Sequence, residues 1–319
     1  MDAFLIMLRN VLLFVALAIP GYILVKTGML KQEQSGVISK LLMYIGMPFF
    51  ILSSTMTSFA FNKEFLLLIS IVILTGTLYT IYMSFVSKPL TAMEKNEKTR
   101  GVMRFSAVFA NNGFLGIPLA AAVFGDSSPV LTLIIVLNII NNILIFTLGV
   151  YHISGDKNAI RLKNAFLNPV LIAFIVGIIL KFFHVNESIP EVLSFANHFK
   201  GLVTPLSMVV LGMKLGAINI RSLFTSARLY YTAFLRLVLY PVAIVAVLLV
   251  ARPLIPAFIN ETLILAFFVA FAMPTAGLAS TLADRYNGDT ENAATMTLST
   301  TILSVLTIPL LYWLLCLCL

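Results

Sequence analysis

Charge is scarce in this sequence. Only 11% of its 319 residues are Asp, Glu, Lys or Arg, against roughly 25% in a soluble domain. Hydrophobic residues make up 60%, where a soluble domain has about 45–50%. A chain this apolar could not cover its own surface in water, so the excess is assigned to lipid. Acidic charge is scarcest where it would matter most. None of the 13 Asp and Glu residues falls in the middle of an apolar run; Asp126, Glu261, Asp284 and Glu291 all lie at run ends or beyond them. A carboxylate proton relay or a paired-Asp cation exchanger therefore lacks its central part. The three histidines, His152, His184 and His198, sit near loops, so no metal cluster or nucleophile triad can be assembled. Neither an enzyme nor a cofactor is expected. Cys316 and Cys318 are the two cysteines, one residue apart in an apolar tail, a spacing that suits neither a disulfide nor a metal site. A cleavable signal is not expected either: the chain opens Met1-Asp2-Ala3-Phe4 and its first apolar run continues to about Val25, the length of a span.

What is present is a succession of apolar runs. A helical span needs about 20 apolar residues. Ten candidates fall near 3–25, 36–58, 64–87, 101–123, 129–152, 166–184, 192–214, 228–251, 261–283 and 292–315. All are expected to be helices, because an open strand cannot satisfy its backbone in lipid. The net charge of +8 resides in the short connections rather than on one face, which excludes nucleic acid. Alternate connections divide it unevenly. One side collects Lys26, Lys31, Lys40, Lys88, Lys95, Lys98, Arg100 and Arg104. The same side adds Lys157, Arg161, Lys163, Lys214, Arg221, Arg228 and Arg285. The other side has only Lys63, Lys181, Lys200 and Arg252. The basic side is expected to face the cytoplasm, with both termini outside, in the plasma membrane. Arg9 and Arg236 fall inside runs, and the expectation for both is that the side chain snorkels to the nearer surface, with a substrate-anion contact or a structural pair as the alternative.

The chain also reads as two copies of one unit. Met47-Pro48 and Thr204-Pro205 place prolines 157 residues apart, while Ile117-Pro118 and Met273-Pro274 place them 156 apart. Nearly equal offsets suggest a five-helix duplication: a first repeat at 1–153, a short cytoplasmic linker at 154–165, and a second repeat at 166–319. Five is odd, so the second copy would be inverted, a recurrent plan of secondary transporters.

Run 4 contains Asn111-Asn112-Gly113 and Gly116-Ile117-Pro118, and run 9 contains Met273-Pro274-Thr275-Ala276-Gly277. Proline removes a backbone donor and glycine frees the backbone. Both helices are expected to break, at Pro118 and Pro274, and the breaks must be buried or line a wet cavity. Two helix N-termini converging there would attract a carboxylate without any Lys or Arg. Two simple proline kinks are the alternative. Run 5 adds Asn138, Asn141 and Asn142, and run 10 adds Thr297, Thr300, Thr301 and Ser304, each set on one helical face. These could wall the site or could bond helix to helix.

The stretch Asn111-Asn112-Gly113-Phe114-Leu115-Gly116-Ile117-Pro118-Leu119 resembles the fourth helix of the auxin efflux carrier family. Ala272-Met273-Pro274 with Leu282-Ala283-Asp284-Arg285-Tyr286-Asn287 resembles its ninth, and Ser299-Thr300 and Ile308-Pro309-Leu310 fit its tenth. The resemblance implies an all-α integral membrane fold of ten helices in two inverted repeats, with helices 4 and 9 crossing. It implies a scaffold of helices 1, 2, 6 and 7, a transport domain of helices 3–5 and 8–10, and elevator movement between them. The crossing prolines would be Pro118 and Pro274, and Asn111 or Asn112 would contact a substrate carboxylate. The remaining site residues would be Gly113, Thr275, Asn141, Asn142 and Thr300. Plant members form dimers through the scaffold, which implies a homodimer. The short link at Ser154–Ala165 is similar to that of compact bacterial members, including malonate and malate carriers. A small mono- or dicarboxylate is thus the expected substrate rather than auxin. The coupling ion, Na+ or H+, stays open. A cation carrier or channel and a non-transporting membrane receptor are the rival readings.

Overall fold

The structure is a computed structural model that describes residues 2–160, 163, 167–219, 223, 226–256 and 258–319. Part of the 154–165 linker, with Arg161, lies outside the described residues, as does Arg221. The described residues are helical throughout apart from turns and one isolated two-residue bridge. In chain order the helices are α1 (Phe4–Lys26), α2 (Gln32–Ser58), α3 (Lys63–Leu90), α4 (Glu97–Val108), α5 (Asn112–Phe124) and α6 (Pro129–Ser154). There follow α7 (Pro169–Phe182), α8 (Pro190–Ala217), α9 (Ala227–Ala251), α10 (Glu261–Ala272), α11 (Ala279–Arg285) and α12 (Thr290–Cys318). Seven of these are long and apolar enough to cross a membrane: α1, α2, α3, α6, α8, α9 and α12. The fourth and ninth apolar runs are each interrupted, which is why neither yields a helix of spanning length.

Helix starts follow local chemistry. The side-chain oxygens of Asn62, Ser128, Asn168 and Asn260 accept backbone N–H groups at the first turns of α3, α6, α7 and α10, satisfying donors that have no partner inside a helix. Pro129, Pro169 and Pro190 occupy first positions, where a missing N–H costs nothing. Interior prolines are accommodated differently. Pro48, Pro118 and Pro241 are each the second residue after a wide π-turn, at Leu42–Gly46, Asn112–Gly116 and Leu235–Leu239 respectively. A π-turn shifts the carbonyl that a proline ring would strike, so the helices continue through these prolines.

The helices pack in two groups. In the first, α1 lies along α8, and α2 is held between α7 and α8. The α1–α8 contact is close because Gly21 sits against the Val209 carbonyl and Gly212 against the Ala18 carbonyl, with no room for a Cβ at either glycine. In the second group α6 is nearly surrounded, by α3, α5 and α10; its residues from Val130 to Asn141 are all buried. Helices α4, α9, α11 and α12 complete this group. The groups meet where α1 touches α12 and α2 touches α6. The outward faces stay apolar: Leu13, Leu74, Phe85, Val250 and Leu306 are each more than half exposed, as a lipid-facing surface requires.

Candidate functional site

The two interrupted segments meet. Between α4 and α5 the chain leaves the helix and runs extended through Phe109 and Ala110 before turning at Asn111, and between α10 and α11 it runs extended through Met273 and Thr275. The two stretches pair antiparallel, Ala110 opposite Thr275. The Asn111 N–H donates to the Pro274 carbonyl at 2.8 Å, and the Ala276 N–H to the Phe109 carbonyl at 2.9 Å. Unwound backbone inside a bilayer must find partners within the protein. Much of it finds them in this bridge, and more in side chains.

Arg236 on α9 supplies the largest share. It is fully buried. Its Nε donates to the Met273 carbonyl at 2.9 Å and its Nη2 to Phe271 at 2.6 Å. Its Nη1 reaches the carbonyls of Val108 at 2.8 Å and Ala107 at 3.2 Å. These carbonyls end α4 and α10, where two helix C-termini place partial negative charge. One guanidinium therefore caps both ends. The expectation that Arg236 snorkels is overturned: burying an arginine is costly, but four carbonyl acceptors and two helix ends offset the cost. Arg9 is exposed at the surface of α1.

Other side chains lock the crossing. The Thr275 hydroxyl donates to the Ser106 carbonyl at 2.8 Å, and its N–H donates to the Thr300 hydroxyl at 3.2 Å. Thr300 in turn donates to the α12 backbone. The Asn141 amide donates to the Ala110 carbonyl at 2.9 Å. Thr275 and Thr300 are fully buried and hold the frame without facing open space.

Beside the bridge lies a cavity of about 560 Å³, mouth included, with no charged residue among the described residues that line it. Asn111, Gly113, Asn138, Asn141, Asn142 and Asn168 contribute its polar surface. The three α6 asparagines do share one face. The Asn142 amide donates to the Asn138 backbone and side-chain oxygens, leaving the Asn138 amide nitrogen without a partner although Asn138 is only 2% exposed. The N–H groups of Gly113, Phe114, Gly277 and Leu278, all lining residues, have no acceptor among the described residues. The cavity opens into a vestibule of about 1540 Å³ that shares Asn111, Phe114, Gly277 and Leu278 and reaches Lys40 and Lys214. Thr297 and Thr301 face that vestibule.

The sequence-predicted residues thus separate. Asn111, Gly113, Asn141 and Asn142 line the cavity. Asn112 does not: it is buried against Gly116, with its side-chain oxygen unpartnered. Pro274 gives its carbonyl to the bridge. Pro118 is not at the crossing; the break comes earlier, at 109–111, and Pro118 stands inside α5 beyond its π-turn. Asn168 was missed. Its position before Pro169 marks it as a helix cap, and its side-chain oxygen does cap α7, but nothing local indicates that it also faces the crossing.

A sequence family described as "Membrane transport protein" matches the chain over residues 6–164 and 156–312. The chain is 27% identical to an uncharacterized transporter of Methanothermobacter thermautotrophicus over 305 residues, 95% of this chain and 96% of that protein. It is 30% identical to an uncharacterized transporter of Methanocaldococcus jannaschii over 211 residues, 64% of this chain and 68% of that one.

Proposed function

The chain belongs to the membrane transport protein family, the auxin efflux carriers and their relatives, and from that premise we propose that it carries a small mono- or dicarboxylate across the membrane by elevator-type alternating access. The supporting observation is the cavity beside the crossing: free backbone N–H groups and asparagine amides converge on it, and among the described residues no carboxylate lines it. Backbone N–H groups at the start of α5 combine donors with the positive end of a helix dipole, a setting that favours an anion. Arg236 adds a positive charge behind the bridge that no carboxylate neutralises within salt-bridge distance among the described residues. Asn111, Gly113, Asn141 and Asn142, joined by Asn138 and Asn168, would hold the substrate, while Asn112, Pro274, Thr275 and Thr300 would hold the frame.

In this reading the chain makes ten spans as two inverted five-helix repeats, with α4/α5 and α10/α11 each counted as one broken span. The helix group of α1, α2, α7 and α8 is the scaffold, and the remainder moves. Both termini lie outside, and the vestibule bearing Lys40 and Lys214 opens to the cytoplasm, as the distribution of Lys and Arg favours. The far side is then closed. There Lys200 of the scaffold pairs with Asp126 of the moving group at 2.9 Å and lies over the Phe50 ring. That pair is roughly 21 Å along α8 from Lys214 at 1.5 Å per residue. A homodimer through the scaffold, plasma-membrane location and coupling to Na+ or H+ accompany the proposal.

The test is uptake into proteoliposomes of labelled malonate, malate, lactate and indole acetate. At least one acid is expected to accumulate, and Asn111→Ala is expected to reduce its uptake more than tenfold. Ionic current without any organic acid would favour a cation pathway, and saturable binding without flux would favour a receptor; either would overturn the assignment.

A further inference from the structure

Away from the crossing, a second polar cavity of about 970 Å³, mouth included, lies where the start of α4 meets the end of α6 and the turn after α11. Lys98, Arg100, Arg104, His152, Tyr151 and Asn287 line it. Arg100 and Arg104 are four residues apart on one helical face, an arrangement of like charges that weakens a helix unless an anion relieves it. Glu97 is the one acidic lining residue; it is largely exposed and paired with Arg100. Arg104 uses only its Nε, which donates to the Thr91 hydroxyl at 3.0 Å. Its two terminal nitrogens have no partner among the described residues. The Lys98 ammonium is held toward the cavity rim by Asn287 at 3.0 Å. Deeper in, His152 is only 5% exposed; its Nε2 engages the Ser84 hydroxyl, and its Nδ1 has no partner among the described residues.

An idle guanidinium fork, two more cations and an unpaired buried imidazole nitrogen make an anion site unrelated to the uncharged cavity at the crossing. A planar fork matches phosphate oxygens two at a time, and basic pockets between spans on the Lys/Arg-rich side suit phosphate headgroups. We propose that this cavity binds a phosphate group, Arg104 giving the bidentate contact and Arg100 and Lys98 the surrounding charge. The occupant would tie α4, α6 and the α11 exit together, and so stiffen the helices that carry the crossing.

The test is thermal unfolding of the full chain in detergent, titrated separately with inorganic phosphate, phosphatidylglycerol and phosphatidylcholine. Phosphate or phosphatidylglycerol is expected to raise the midpoint in a saturable way and phosphatidylcholine is not. Response to both identifies a soluble phosphate compound as a sufficient ligand, and response to the lipid alone identifies a headgroup site. Arg104→Gln is expected to raise the half-saturating concentration at least tenfold. That variant should fold, because Thr91 keeps its own bond to the Ser87 carbonyl. Its midpoint without ligand is the check, and Arg100→Gln serves as a second, milder variant. No shift from either ligand in the unaltered chain, or an equal shift in both variants, overturns the proposal.

Discussion

The two halves of the crossing are built from equivalent stretches and do unequal work. After the first break the chain re-enters helix at once, as α5, and turns Asn111 and Gly113 toward the cavity. After the second it passes through Pro274 and Thr275, whose side chain is tied to Ser106, and resumes only as the seven-residue α11. The first half presents donors to open space. The second half spends the Thr275 and Ala276 N–H groups and the Thr275 hydroxyl on the frame, and leaves the backbone N–H groups of Gly277 and Leu278 beside the cavity. Two stretches that correspond in sequence therefore need not do equal work; one can turn more of its side chains toward a cavity while the other serves mainly as the clamp that positions it.

Arg236 is common to both halves, so its loss should have the largest effect and should not discriminate between them. Arg236→Ala takes the guanidinium away from four carbonyls, and each buried carbonyl left unpaired costs about 1–3 kcal/mol. Little folded protein is expected on size-exclusion chromatography. Arg236→Lys keeps the charge but cannot span both helix ends, and an intermediate thermal midpoint is expected. A variant Arg236→Ala that melted like the parent would mean that the two ends are held elsewhere.

The next pair of substitutions separates binding surface from clamp. Asn111→Ala removes a cavity-lining amide and leaves the bridge intact, because the bridge uses the Asn111 backbone N–H. Transport should fall more than tenfold with the melting midpoint nearly unchanged. Thr275→Val removes the bond to Ser106 and leaves that carbonyl buried, a loss of about 1–3 kcal/mol. Its midpoint should fall while the folded fraction keeps the parent's substrate affinity. The reverse pattern would exchange the two roles. A smaller effect is expected at the closed side. The Lys200–Asp126 pair is partly exposed and so contributes at most about 1 kcal/mol. Asp126→Asn should shift the balance between open states by no more than about fivefold, read as faster labelling of a cysteine placed on the closed side in a chain without Cys316 and Cys318.

Parts of this arrangement were legible in the sequence and parts were not. The asparagine face of α6 followed from spacing alone, since Asn138, Asn141 and Asn142 can only share a face of a helix. That runs 4 and 9 break followed from their glycine and proline content. Where run 4 breaks did not follow, because Pro118 is absorbed by a π-turn and the non-helical stretch at 109–111 is stabilised by pairing with residues far along the chain. Arg236 was misread for the same reason. Its acceptors lie 35 to 129 residues away, and they become acceptors only because two helices end there. Local signals show that a helix can break, but the partner that makes a break stable is a property of the assembled fold.

The smallest expected effect lies at the rim, where the two halves are tied a second time. Asp289, just before α12, accepts from the Thr99 hydroxyl of α4 at 2.6 Å and from the backbone and side-chain N–H groups of Asn292 at 3.0 and 2.7 Å. Partial burial alone would raise its carboxyl, but these donors favour the ionised form more and hold it below the usual carboxylate range. A group bound more weakly to protons in the folded chain than in the unfolded one stabilises the fold above the unfolded value, about 3.9 for Asp. That contribution is lost as pH falls through the lower folded value. Melting curves between pH 7 and pH 3 should therefore show the parent losing an increment of stability below about pH 4 that Asp289→Asn lacks. Thr99→Val should lose part of the same increment, because the tie needs its hydroxyl. If the clamp half is held by Thr275 and Arg236 alone, Asp289→Asn will follow the parent at every pH, and the rim tie adds nothing to the crossing.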